Sequence, residues 1–153
     1  MLYFQPNPGN DLGVACNPKS LFEGLQAYVL RTSFAAGCND VPCASDDGFE
    51  DAIRVARGAE VVVVVAGLNL TEENEDHDRV SLLLPGKQTD LVNAIARVSK
   101  KPLVLVLMGG GPLDVSFAKA NPWIASILWI GYAGEVGGQV LAEALFGEFN
   151  PGC

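Results

Sequence analysis

The sequence predicts an α/β fold, an open three-layer sandwich with a mostly parallel sheet and helices on both faces. Two observations predict it. Residues 61–66, 103–108 and 125–130 are nearly unbroken apolar runs without alternation, the pattern of strands buried on both faces. Segments of helical period separate them, and a strand-to-strand return through a helix favours a parallel, right-handed crossover. A chain of 153 residues is long enough for one domain with its own core.

Residues 1–17 show no period and read as an irregular lead-in, leaving 18–153 as the α/β domain. Ser20 with Glu23 three positions later forms a capping box and predicts a helix over 21–28. Residues 29–34 read as a short strand and 35–46 as a loop. Asp46 or Asp47 starts a helix that carries Phe49, Ala52, Ile53 and Ala56 at helical spacing. It runs to Arg57, with Arg54 and Arg57 in its last turn, and Gly58 ends it. The strand at 61–66 leads into an acidic loop, 69–79. Pro85 and Gly86 open a helix over 87–98 with Leu91, Val92, Ile95 and Val98 as its buried stripe. Lys100-Lys101-Pro102 breaks that helix before the strand at 103–108. Gly109-Gly110-Gly111-Pro112 follows, then a short element at 114–118, an interruption at Pro122 and the strand at 125–130. A glycine-rich loop at 131–138 precedes the last helix, 140–146. Function in open α/β sheets lies in the loops after the strands, here 67–79, 109–114 and 131–138.

Composition narrows the partners. The formal charge is −8, from 18 acidic and 10 basic residues, and no stripe of Lys or Arg offers a surface to nucleic acid or anionic membrane. The longest apolar stretch, 61–68, is far too short to span a bilayer, and the first residues lack the basic and apolar regions of a secretory signal. Cys16, Cys38, Cys43 and Cys153 allow three full pairings. Three of them sit in a loop-like early stretch, which suggests an oxidising compartment, with a Cys38–Cys43 link as one option and free thiols as another. With His77 as the only histidine, neither a zinc triad nor a His-based catalytic triad can be built within the chain, and no metal or cofactor is expected.

The acidic loop is the richest in chemistry. From Thr71 to Arg79 it packs Glu72, Glu73, Glu75, Asp76 and Asp78 into nine positions directly after a buried strand. Crowded carboxylates raise the pKa of at least one member, which suits a general acid. The alternatives are a solvated acidic loop and a calcium site, whose spacing does not fit an EF-hand. The loop 131–138 lacks the Gly-Lys-Ser/Thr ending of a phosphate cradle and misses G-x-G-x-x-G. Pro112 removes an amide donor from the other glycine-rich loop. Both loops read as places where backbone approaches backbone or a ligand. Asn69-Leu70-Thr71 is a glycosylation sequon, expected to be unused because a glycan would obstruct a narrow site.

Several segments together resemble a known family. They are Gly67-Leu68-Asn69, then Glu73, Glu75 and Asp78-Arg79, then Leu82-Leu83-Leu84-Pro85-Gly86-Lys87-Gln88. Residues 103–108 with Gly110-Gly111-Pro112, Asp114-Val115-Ser116-Phe117-Ala118, Ile127-Leu128-Trp129 with Gly131-Tyr132, and Asn150-Pro151-Gly152 extend the match. Collinear from about Gly13 to Gly152, it resembles the second domain of glycoside hydrolase family 3, closest to the plant β-xylosidase and α-arabinofuranosidase branch. The resemblance implies a truncated sandwich domain, incomplete at both ends, from a secreted cell-wall or apoplastic enzyme. In that enzyme a barrel absent from this chain supplies an Asp nucleophile, and the sandwich supplies the acid/base. The partners implied are a xylo-oligosaccharide and the missing barrel. The family's acid/base falls on Glu73, with Glu75 the second choice, and Asp78 and Arg79 are expected to pair and hold the loop. Retention requires the two carboxyls about 5 Å apart across the scissile bond. Asn69, Glu72 and Asp76-His77 depart from the branch's usual residues and bear on substrate fit and on the acid's pKa. The competing readings are a non-catalytic sugar-binding or interaction module and a nucleotide-binding α/β domain.

Overall fold

The structure, a computed structural model, describes residues 16–152. Its elements run α1 (Leu21–Tyr28), α2 (Phe49–Gly58), β1 (Val63–Gly67), α3 (Gln88–Val98), β2 (Leu103–Met108), α4 (Ser116–Lys119), β3 (Ile124–Trp129) and α5 (Gly137–Leu145). They fall into two compact units, residues 34–131 and residues 16–33 with 132–152. Most of the expected lead-in, 1–17, lies outside the described residues, as does Cys153.

The first unit holds the sheet. Its strands are parallel and lie in the order β1-β2-β3, as the helical crossovers require. Val64, Val65 and Ala66 of β1 and Leu105, Val106 and Leu107 of β2 are buried, together with Leu91, Val92 and Ile95 from one face of α3. Each such Leu, Ile or Val contributes about 1.5–3 kcal/mol of burial. The fold class is therefore α/β, built on a parallel sheet. Because Gly67 is paired with Met108, the loops leaving β1 and β2 start side by side.

Two expectations about strands need correction. Residues 29–34 form no strand. Val29, Leu30 and Phe34 are exposed, Leu30 at 92%, and among the described residues the segment joins no sheet. The third strand is not buried on both faces either. β3 stands at the end of the described sheet, with Ala125, Ser126 and Trp129 exposed, Trp129 at 59%. Helix boundaries also shift. α2 starts at Phe49 with Gly48 as its cap, because Asp46 instead pairs with Lys87 at 3.1 Å, next to the start of α3. That ammonium, as hydrogen-bond donor, holds the Asp46 carboxyl below its usual range. α5 begins three residues earlier than the sequence suggests, taking Gly137 and Gly138 into its first turn.

The disulfide joins Cys38 to Cys43, with Cα atoms 5.1 Å apart, and Cys16 is free and exposed. The bridged loop sits beside the start of α3, where the Lys87 N–H donates to the Cys43 carbonyl at 3.0 Å. No helix among the described residues is long and apolar enough to cross a membrane.

In the second unit α1 packs on α5. Gly24 makes this possible: a Cβ there would lie 1.9 Å from the Gly138 carbonyl oxygen, so the two backbones touch. Tyr28 stacks on Phe146 with ring centroids 4.7 Å apart and donates to Glu148, which pushes its phenol up to about 12. The capping box at the start of α1 is complete. The Ser20 Oγ accepts from the Glu23 N–H at 3.2 Å, and the Glu23 carboxylate accepts from the Ser20 N–H at 2.8 Å. Ser20→Ala is expected to lower the free energy of unfolding by about 1 kcal/mol, read from the urea midpoint. The Ser20 N–H holds the Glu23 pKa below 4.5, so the cap's contribution is full at neutral pH and is lost as pH falls through that depressed value. A midpoint that Ser20→Ala leaves unchanged would exclude this role for the cap.

Candidate active site

The site is built by the loops that leave β1 and β2. Gly67 turns the first of them with φ of +136°, and a Cβ there would strike the Met108 carbonyl oxygen at 2.0 Å. Leu68, fully buried, donates its N–H to that same oxygen at 2.8 Å and anchors the root of the loop. Asn69 then organises the turn. Its Oδ1 accepts from the Thr71 N–H at 3.0 Å and from the Thr71 hydroxyl at 2.6 Å. Its carbonyl accepts from the N–H groups of Glu72 and Glu73. Such an Asx turn is what a short amide side chain does when no helix or strand claims the backbone.

Glu73 leaves that turn pointing inward. Its Oε1 accepts from the Gly110 N–H at 2.6 Å and its Oε2 from the Arg79 Nε at 3.2 Å. The two side chains are 18% and 11% exposed, so the ion pair is shielded from most of the water that weakens surface pairs. Arg79 spends its other nitrogens on backbone. Nη1 donates to the Ser81 carbonyl at 3.0 Å and Nη2 to the Pro112 carbonyl at 2.7 Å. One guanidinium thereby ties the carboxylate to both loops, using the fork of donors that a lysine lacks. The run Gly109-Gly110-Gly111 makes room: a Cβ on Gly111 would sit 3.4 Å from both the Glu73 Oε2 and the Arg79 Nη2. This glycine run is expected to let backbone approach backbone or a ligand; here the backbone approaches the Glu73 and Arg79 side chains.

The other candidates part company with Glu73. Asn74 and His77 form an isolated antiparallel bridge, closed by N–H···O bonds of 3.1 and 3.0 Å. Glu75 and Asp76 occupy the turn of that bridge and are exposed. The expected pairing of Asp78 with Arg79 is replaced: Arg79 pairs with Glu73, and Asp78 is exposed. Adjacent side chains on a segment that is neither helix nor turn diverge, so neighbours in sequence are poor partners there. Crowding is not what sets Glu73 apart, since donors hold both of its oxygens. Asn69, the sequon residue, is half-buried and engaged with Thr71. Among the described residues no three or more His, Cys, Asp or Glu side chains gather as a metal site.

On the second loop Asp114 closes the arrangement. Its N–H donates to the Leu82 carbonyl at 2.8 Å, and its Oδ1 accepts from the Ser116 N–H at 2.8 Å. The Ser116 hydrogen bonds hold its carboxyl below the usual range. The third loop suspected of function, 131–138, lies almost wholly in the second unit. Sequence reasoning missed the roles of the Gly110 N–H and the Pro112 carbonyl, because backbone groups carry no residue-type signal.

An α/β domain that presents one shielded carboxylate between two loops at the carboxyl ends of adjacent parallel strands defines the class. The family profile of the glycosyl hydrolase family 3 C-terminal domain matches residues 6–153, and the chain belongs to that family. It is 61% identical over 144 residues to "Probable beta-D-xylosidase 6" of Arabidopsis thaliana, covering 94% of this chain and 18% of that protein. It is 50% identical over 143 residues to "Beta-xylosidase/alpha-L-arabinofuranosidase 1" of Medicago sativa subsp. varia, with the same shares covered. Among solved structures, a family 3 exo-β-xylosidase in complex with a xylobiose aziridine probe superposes with a TM-score of 0.86 at 34% identity, over 92% of this chain and 18% of that one. The chain thus spans about a fifth of the length of the proteins it matches.

Proposed function

We propose that this chain is the acid/base half of a retaining exo-glycosidase that removes terminal β-xylosyl residues, with α-arabinosyl residues as the second substrate class, from xylan oligosaccharides. The observation that carries the reading is the seat of Glu73, held by the Gly110 N–H and Arg79 at the carboxyl end of the sheet. Similarity to β-xylosidases and to a β-xylosidase/α-arabinofuranosidase supports the substrate class. As an acid, Glu73 gives its proton to the glycosidic oxygen while that oxygen's bond to the anomeric carbon breaks. A carboxylate from a separate barrel domain forms the new bond to that carbon. As a base, Glu73 then takes a proton from water, which attacks the anomeric carbon and frees the nucleophile. Two bonds to donors suit the carboxylate form that the second step needs. Arg79 is a positioning residue in this scheme and Glu75 the reserve candidate for the acid. Secretion to an oxidising, extracellular compartment is supported by the Cys38–Cys43 bridge.

The chain alone is expected to be catalytically silent, because the partner carboxylate comes from outside it. Incubation with nitrophenyl xyloside should release nitrophenol no faster than buffer. Release that Glu73→Gln abolishes would show that the chain holds both carboxyls and would overturn the division of labour.

A further inference from the structure

Gln88 is fully buried, and it is a polar side chain inside an apolar core. Its Oε1 accepts from the Gly67 N–H at 2.7 Å. Its Nε2 donates to the Gly67 carbonyl at 2.8 Å and to the Val41 carbonyl at 2.6 Å. The carboxamide thus pairs with both backbone groups of one residue, as a neighbouring strand would. It does so on β1, whose only partner in the described sheet is β2. The amide's orientation is dictated, since an N–H needs the oxygen and two carbonyls need the nitrogen. A buried amide left unpaired costs more than its bonds return, so every partner is held in place.

The residue so gripped is the hinge of the site. Gly67 is the last residue of β1, sits at φ +136°, and begins the loop that carries Glu73. The third partner, Val41, belongs to the loop closed by Cys38–Cys43. Gly86 and Lys87 press that same loop against the start of α3: a Cβ on Gly86 would meet the Pro42 carbonyl oxygen at 2.1 Å. A rigid bridged loop, a buried amide and the end of β1 therefore form one continuous support. At the other end of it, Leu68 and Asn69 deliver Glu73 to the Gly110 N–H.

We infer that Gln88 is a positioning residue for Glu73, acting through the backbone of Gly67 and braced by the disulfide loop. Its bearing on catalysis rests on the acid/base reading of Glu73; its geometric effect on Glu73 does not. The contrasting role is plain stabilisation of the core, which would leave the Glu73 contact as it is.

The test follows the Gly110 amide resonance of the full chain by NMR across the carboxylate titration. In the unsubstituted chain this amide shifts as Glu73 takes up its proton, and Glu73→Gln removes the step. Gln88→Met preserves volume and removes every hydrogen bond; it is expected to lose most of the step while the chain stays folded. Ser99→Ala breaks a buried hydrogen bond at the far end of α3, where the Ser99 hydroxyl donates to Ile95, and should keep the step intact. If Gln88→Met does not fold, Gln88→Leu, which likewise removes every hydrogen bond and adds no titrating group, is read in the same way. A full step in the folded Gln88 variant, or an equal loss in Ser99→Ala, overturns the inference. Neither result touches the acid/base reading, which fails separately if Glu73→Gln leaves an active enzyme unaffected.

Discussion

Gly67→Ala is expected to destabilise the chain by about 3 kcal/mol or more, from a strained backbone and a steric clash acting together. The φ of +136° lies where L side chains are rarely found, and the new Cβ would sit 2.0 Å from the Met108 oxygen and 2.7 Å from its nitrogen. That contact cannot be relieved by turning a side chain, because both atoms belong to β2 in register with β1. Relief requires the β1–β2 ladder to open at its carboxyl end, which displaces Leu68 and unseats Glu73. The loss is a large part of the 5–15 kcal/mol that a domain of this kind has in total. Urea denaturation followed by circular dichroism reads it directly. Gly58→Ala is the matched control: Gly58 ends α2 and nothing stands within 4 Å of its Cβ position. It should shift the midpoint slightly upward. Equal midpoints for the two variants would refute this account of the β1 terminus.

Glu73→Gln in an active enzyme is expected to lower turnover about 10²–10⁴-fold on xylosides with poor leaving groups, the usual contribution of a positioned proton donor. A host is available in principle: the Arabidopsis relative with this chain in place of its matching stretch. Glutamine keeps the size and one of the two acceptor oxygens, so it still accepts from Gly110 or from Arg79 while its NH2 faces the other donor and the transferable proton is lost. Leaving groups that depart without a proton should be much less affected in the first step, so the deficit should grow with leaving-group basicity. Glu75→Gln in the same host should be nearly neutral, because Glu75 lies exposed on the turn between Asn74 and His77. Comparable losses in both variants would contradict the assignment.

These expectations rest on parts of the molecule that were unequally legible in the sequence. β2 was readable to the residue, because Leu103 to Met108 is apolar throughout and its neighbours are Pro102 and Gly109. β3 carries a similar run, yet it is half-exposed. Whether a strand lies inside a sheet or at its edge depends on strand order, which one strand's residues do not encode. The false strand at 29–34 has the same origin: Val29 and Thr32 favour extended backbone, but no strand among the described residues pairs with them. In the acidic loop, carboxylate density marked the region without ranking its members. The ranking is made by Asn69 and Asn74, whose side-chain turns send Glu73 inward and Glu75 outward. Resemblance placed the acid/base on Glu73, whereas charge pattern alone could not. The resemblance suggested a pair of Asp78 with Arg79, whereas Arg79 pairs with Glu73 across the loop and Asp78 is exposed. Gln88 stands out in the sequence only as the end of the matching run Leu82 to Gln88; its burial was not legible, because a polar residue at the start of a helix is ordinarily expected to be exposed.

The division of labour between Glu73 and a carboxylate outside this chain is tested most directly by azide. In the chimeric enzyme Glu73 is replaced by glycine, an activated aryl xyloside is supplied, and the sugar product is identified. With the acid/base carboxylate gone, the covalent intermediate forms but water attacks it slowly, and azide needs no base. The account predicts that azide restores turnover in Glu73→Gly and yields the xylosyl azide with retained configuration. Indifference of Glu73→Gly to azide, with rescue appearing instead in Glu75→Gly, would contradict it.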